Sequence, residues 1–151
     1  MHFPIIALVG RYQDSDLHAP LRALAKLLIQ EGSQVLIEAD TARQTGLTEY
    51  PSASFTQIGE QASLAIVMGG DGTMLGVARQ LAGLGVPLVG INLGRLGFIT
   101  DIPHDVWPDA LDAVLNGHYV SEHRTMLTAQ ALRDGEVVWS DTAMNDVVIN
   151  R

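Results

Sequence analysis

The sequence predicts an α/β fold over residues 1–119, a parallel sheet with helices on both faces. The start of an antiparallel β domain follows over residues 120–151. Three observations predict this. Residues 5–9, 64–68 and 86–91 are short, largely apolar runs, as expected of strands covered on both faces. Helical spacing separates them, so strands and helices alternate as in βαβ units. After His118 the pattern changes to alternation, with apolar Leu127, Ala129 and Ala131 between polar residues and a turn signal at Asp134-Gly135.

The elements follow in order. Residues 5–9 (Ile-Ile-Ala-Leu-Val) end at Gly10 as a buried strand. Leu17, Leu21, Leu24 and Leu28 line one face of a helix over residues 17–30. Asp14, Ser15 or Asp16 is its candidate cap, Pro20 fits only its first turn, and Gly32 ends it. Residues 34–38 form the second strand, and residues 40–60 are polar and weakly patterned, a loop or short helix. Residues 64–68 are the third strand, followed by a helix over 73–81 with Met74, Ala78 and Leu81 inward. Residues 86–91 are the fourth strand. A helix over 105–116 is expected with Asp105 as cap, Pro108 in the first turn and Gly117 at its end. Residues 136–139 and 147–149 are further strand candidates. The chain stops at Arg151 inside or just after a strand candidate, an abruptness expected of a truncated domain.

Composition narrows the function. With 47% hydrophobic and 17% charged residues the 151-residue chain is an ordered globular protein with a real core. The formal net charge is -8, with one lysine (Lys26) and scattered arginines. No basic stripe exists to neutralise nucleic-acid phosphates, and the charge disfavours anionic membranes. Cysteine is absent, which excludes disulfides, thiol catalysis and Cys-zinc sites. The five histidines have no metal-ligand spacing, and no metal ligand is assigned to the protein. The apolar start lacks the basic flank of a signal peptide, and no run reaches transmembrane length, so the cytoplasm is the expected location.

The chemistry is concentrated where the third strand stops, at Gly69-Gly70-Asp71-Gly72-Thr73. Glycines expose backbone N–H groups, let a ligand come close and permit the positive φ angles expected of a sharp strand-to-helix turn. A helix N-terminus attracts phosphate, so Gly69, Gly70, Gly72 and Thr73 are candidate phosphate-binding residues. Asp71 would repel a phosphate unless it binds a cation or takes a proton. That tension points to phosphoryl transfer, with Asp71 beside the reacting hydroxyl or the metal. The acidic chain also needs a divalent cation such as Mg²⁺ to screen a nucleotide substrate. On this view Asp71 is an isolated charge in a crowded turn, and its neutralisation is expected to hold or raise stability.

Gly-Gly-Asp-Gly-Thr recurs in a kinase superfamily that includes NAD kinases, diacylglycerol and sphingosine kinases and, with Ser last, phosphofructokinases. Three blocks, in this order, closely resemble the NAD kinase family: Gly69-Gly70-Asp71-Gly72-Thr73-Met74-Leu75-Gly76-Val77-Ala78-Arg79, then Gly90-Ile91-Asn92-Leu93-Gly94-Arg95-Leu96-Gly97-Phe98-Ile99-Thr100-Asp101, then Ala143-Met144-Asn145-Asp146-Val147-Val148-Ile149. The resemblance spans nearly the whole chain but only the N-terminal part of the family's length. It implies a Rossmann-like domain and transfer of a phosphoryl group from ATP or polyphosphate to the adenosine ribose 2′-hydroxyl of NAD. Asp71 would accept the hydroxyl proton. Asp71, Gly72, Asn145 and Asp146 would touch NAD, with Phe98 a further candidate. Many members carry Glu at the position of Asp146, and some carry a basic residue where Gly76 stands. The resemblance further implies a β-rich C-terminal domain that carries other NAD and phosphate contacts. A homo-oligomer is expected of the full-length protein, and very low activity of the isolated fragment, because positioning and not the carboxylate alone supplies much of the acceleration.

Plainer roles compete. Gly69–Thr73 could be a structural turn, Asp71 a helix cap, and Asn145-Asp146 an ordinary β-turn pair. Phe98 is expected in the core rather than facing a ligand, Trp107 and Trp139 are expected to pack, and Arg95 is either solvated or a phosphate contact. A dehydrogenase would need its glycine fingerprint after the first strand and an acid about 20 residues on, whereas the glycines follow the third strand and position 91 is Ile91. Lipid kinases usually continue the first block with Asn-Glu and lack the Gly-Arg-Leu-Gly-Phe block. A non-catalytic nucleotide-binding or assembly fragment is the remaining alternative.

Overall fold

The computed structural model describes residues 3–10, 17–94 and 97–149. The candidate caps Asp14, Ser15 and Asp16, and Arg95, lie outside the described residues. The chain divides into two compact units, residues 1–119 and 120–151.

The first unit holds β1 (Ile5–Gly10), α1 (His18–Gln30), β2 (Gln34–Glu38), α2 (Ala39–Thr45), β3 (Ser52–Ala53), α3 (Phe55–Gln61), β4 (Leu64–Met68), α4 (Asp71–Leu81), β5 (Leu88–Asn92), β6 (Ile102–Pro103) and α5 (Trp107–Leu115). The six strands form one sheet in the order β3-β2-β1-β4-β5-β6, and every neighbouring pair is parallel. Side chains alternate between its faces. Ile6, Leu8, Ile66 and Met68 pack with Leu21, Leu24 and Leu28 of α1 and Leu111 of α5, whereas Ala7, Val9, Ala65 and Val67 pack with Ile58 of α3 and Met74, Val77 and Leu81 of α4. Helices therefore cover both faces, and β1 and β4 are apolar throughout because neither face meets water.

The order reverses between β1 and β4. In doubly wound sheets, ligands bind at the carboxyl ends of the strands beside this reversal, which is where β4 runs into Gly69-Gly70-Asp71.

The loop or short helix expected over residues 40–60 is corrected by the elements found over residues 39–61. These are two seven-residue helices and a two-residue strand, too short for periodicity to reveal. Their end signals are local. The Glu38 carboxylate caps α2, accepting from the Asp40 and Thr41 N–H groups at 2.9 and 2.8 Å. Ser54 and Gln57 form a reciprocal capping box on α3. Asp105 is not the cap of α5: it lies inside a turn closed by Val106 N donating to the Pro103 carbonyl, and the helix begins with Trp107 and Pro108. The fourth strand starts at Leu88 because Pro87 has no N–H for the ladder; its carbonyl accepts from Ala65 N.

The second unit is a hairpin of β7 (Leu127–Arg133) and β8 (Glu136–Ala143). Asp134 (φ 52°) and Gly135 (φ 85°) both take the left-handed region, as a two-residue turn of this twist demands. Residues 147–149 form no strand, since no partner strand reaches them among the described residues. Trp107 is buried as expected, but Trp139 stands half exposed on β8.

Candidate active site

Gly69 extends the β4 ladder by donating to the Ile91 carbonyl at 2.9 Å, and Gly70 is the extended N-cap of α4 (φ -97°). Asp71 is therefore the first helical residue. The glycines do not serve the purpose expected of them. Among the described residues, positive φ occurs at Asp134 and at Gly32, Gly46, Gly83, Gly85, Gly117 and Gly135, not at Gly69, Gly70 or Gly72. What they supply is space. A Cβ on Gly69 would stand 2.7 Å from Thr73 Oγ1, so the turn closes only on glycine there. Cβ atoms on Gly70 and Gly72 would meet nothing within 4 Å. The first-turn N–H groups of α4, which lack helical acceptors, are thus bordered by open space on either side of Asp71.

The Asp71 carboxylate is held from the opposite side by residues 98–100. Oδ2 accepts from Phe98 N at 2.8 Å. Oδ1 accepts from Ile99 N at 3.2 Å, Thr100 N at 3.2 Å and the Thr100 hydroxyl at 3.0 Å. The Phe98 N–H, followed by the Ile99 and Thr100 donors, keeps the Asp71 carboxyl below the usual carboxylate range, against a smaller opposing effect of desolvation. Asp71 is ionised at neutral pH and can accept a proton. Gly97 makes the approach possible, because a Cβ on it would overlap the Asp71 carboxylate.

Phe98 is corrected from the core role expected of it: its side chain is 95% exposed, next to the N–H that grips Asp71. Thr73 is partly exposed in the first turn of α4, and Gly76 faces open space. Asn145 and Asp146 are exposed residues of the second unit, beyond β8. Gly69–Thr73 and Phe98 thus converge within one unit, while the Asn-Asp pair belongs to the other. Sequence reasoning assigned no role to Thr100, Asn92, Gly97 or Gly90. Thr100 and Asn92 are buried polar residues, and a Cβ on Gly90 would fall 2.9 Å from Thr100 Cγ2. Their signal was the polar and glycine residues that interrupt the apolar ones over residues 90–100.

A parallel sheet with helices on both faces, whose reversal point carries an open glycine turn around one ionised carboxylate, defines a doubly wound α/β domain with its candidate site at the carboxyl edge. The chain belongs to the ATP-NAD kinase N-terminal domain family, whose pattern matches residues 6–119. It is 60% identical over 151 residues to an NAD kinase of Bordetella avium, and 57% identical to one of Bordetella pertussis; in both cases all of this chain and 50% of the relative is covered. The chain thus spans about half the length of these curated relatives. Its fold is similar to that of yeast NADH kinase crystallised with NADH (TM-score 0.79, 17% identity, 96% of this chain and 48% of that one). It is also similar to an NAD kinase of Archaeoglobus fulgidus in complex with ATP (TM-score 0.58, 18% identity, 88% and 45%).

Proposed function

We propose that this chain is the N-terminal half of an NAD kinase, which moves the terminal phosphoryl group of ATP or polyphosphate to the adenosine ribose 2′-hydroxyl of NAD. The observation that carries this is the ionised Asp71 carboxylate at the open N-terminal turn of α4, in a chain of this family. The hydroxyl oxygen bonds to the terminal phosphorus, the bond from that phosphorus to the donor's bridging oxygen breaks, and the hydroxyl proton passes to Asp71. NADP and ADP (or the shortened polyphosphate) leave. A positioned base contributes about 10²–10⁴ in rate, and placement and charge neutralisation supply the remainder.

Backbone N–H groups around Gly69, Gly70, Gly72 and Thr73 bind phosphate oxygens. The exposed Phe98 ring offers a face for a base or a nicotinamide. Asn145 and Asp146 hold the dinucleotide: the amide donates and accepts, and the carboxylate accepts from hydroxyls. Among the described residues no group of three or more His, Asp or Glu side chains converges as a metal site. The divalent cation is proposed to arrive on the nucleotide phosphates, because a chain of formal net charge -8 needs it to screen them. The hairpin of residues 120–151 is proposed as the opening of a β-rich unit in a homo-oligomeric enzyme. Support comes from the exposed Leu132, Val137, Val138 and Trp139 and from relatives of twice the length. No helix among the described residues is long and apolar enough to cross a membrane; we assign the enzyme to the cytoplasm, where its nucleotide substrates are held.

The test is NADP formation by the full-length protein with ATP and Mg²⁺. Hydride transfer without ATP, or no NADP formed, would defeat the proposal. In the same assay Asn145→Ala raises the Michaelis constant for NAD and leaves that for ATP nearly unchanged. Equal damage to both would make the pair a structural turn.

Gly72→Ala separates ligand approach from folding. Alanine fits the open space and favours a helix by about 0.5–1 kcal/mol over glycine. The variant is therefore expected to melt at or above the parent's temperature while its Michaelis constants for nucleotide rise. Unchanged kinetics would remove Gly72 from the site.

A further inference from the structure

The hydrogen bonds behind Asp71 have only one consistent direction. Gly94 N–H donates to Asn92 Oδ1 at 2.8 Å, and a backbone N–H can only donate, so this oxygen is fixed. The other end of the amide is therefore Nδ2, which donates to Thr100 Oγ1 at 2.8 Å. A hydroxyl has one proton. With the Asn92 amide donating to it, the Thr100 hydroxyl turns its proton to the remaining partner, Asp71 Oδ1 at 3.0 Å. Thr100 is wholly buried and Asn92 nearly so, so water does not compete for these groups. Gly90 makes room for Thr100 by lacking a Cβ.

The chain leaves the two carboxylate oxygens unequal. Oδ1 receives three donors, from Ile99 N, Thr100 N and the Thr100 hydroxyl, while Oδ2 receives one, from Phe98 N. An ionised carboxylate has about four acceptor sites, roughly two on each oxygen. Oδ1 is saturated, and Oδ2 retains a free lone pair.

We propose that Asp71 accepts the substrate proton at Oδ2, and that the buried pair Asn92–Thr100 are positioning residues which assign that atom by saturating Oδ1. This rests on Asp71 being the base. As the ribose oxygen bonds to phosphorus and the bond to the donor's bridging oxygen breaks, the hydroxyl proton moves to Oδ2. Thr100 and Asn92 touch neither substrate. They fix the carboxylate plane and leave the free lone pair on Oδ2, and placement of this kind is sensitive to small shifts.

The experiment is a kcat–pH profile of full-length Thr100→Val, Thr100→Ser and Asp71→Asn. Thr100→Val keeps the shape and removes the donor. Its kcat falls about tenfold or more, its Michaelis constant for NAD stays within about twofold, and the acid limb of kcat moves to higher pH because the charged carboxylate has lost a hydrogen bond. Thr100→Ser restores both the rate and the limb. If Thr100→Val does not fold, Thr100→Cys, whose thiol is a weak donor, gives the same changes in smaller measure. A fall in kcat with an unmoved limb means a merely structural role and overturns the proposal, as does a parental profile in Thr100→Val beside an inactive Asp71→Asn. Normal turnover in Asp71→Asn overturns the underlying assignment of the base instead, whatever Thr100 does.

Discussion

Asp71→Asn in the full-length enzyme is expected to lose about 10²–10⁴-fold in turnover, with a much smaller change in NAD affinity. An amide has the same shape as the carboxylate but does not take the ribose hydroxyl proton at neutral pH. The same variant is also expected to melt at a lower temperature than the parent, the reverse of what an isolated charge in a crowded turn would do. Asp71 is not isolated: it accepts four hydrogen bonds from residues 98–100. If the amide oxygen replaces Oδ1, the amide nitrogen faces the Phe98 N–H, donor against donor, and one backbone group loses its acceptor. The pH dependence has a definite sign. The folded protein holds the Asp71 carboxyl below its ordinary value, so the stabilisation is present above the unfolded value of about 3.9 and is lost as pH falls through the lower folded one. The melting-temperature gap between parent and Asp71→Asn is therefore widest at neutral pH and closes below about pH 4. Near-parental turnover would remove Asp71 from catalysis, and a gap that widens in acid would contradict the hydrogen-bonded carboxylate.

Legibility in the sequence followed the range of the signal. Residues 64–68 read as a strand from local composition alone, and the observed β4 has those bounds, because a strand covered on both faces must be apolar at every position. The helix carrying Leu21, Leu24 and Leu28 was legible for a similar reason: its buried stripe repeats over about two turns. Helices of seven residues give no such repeat, and α2 and α3 were visible only through Glu38, Ser54 and Gln57, which cap them. At the site, Asp71 and its glycines stood out by residue type, but the reason for the glycines did not. Whether a glycine serves a positive φ or an absent Cβ depends on what packs nearby. The grip on Asp71 comes from residues 27 to 29 positions away, and no periodicity connects them. Phe98 reads as core by hydrophobicity, yet its backbone is committed to Asp71 and its ring is left outside.

Gly97→Ala should do nearly as much damage as removing the carboxylate itself. A Cβ at position 97 would overlap the Asp71 carboxylate, Cγ included, and an aspartate side chain has only two torsions with which to escape. The carboxylate must leave the Phe98–Thr100 donors, or the backbone of residues 97–100 must move away from it. Either way Asp71 remains in the chain and ionisable but loses its orientation, and misplacement by about 1 Å can cost on the order of 10²-fold in rate. Turnover of full-length Gly97→Ala is therefore expected to fall by about 10²-fold, while α4 and the sheet, which are buried elsewhere, stay folded and the circular dichroism spectrum is retained. The decisive measurement is the double variant. If Gly97→Ala acts by displacing Asp71, adding it to Asp71→Asn costs little more than Asp71→Asn alone, because both remove the same interaction. If the losses multiply instead, Gly97 serves the reaction by another route, and the close packing of glycine against carboxylate is not what holds the base in place.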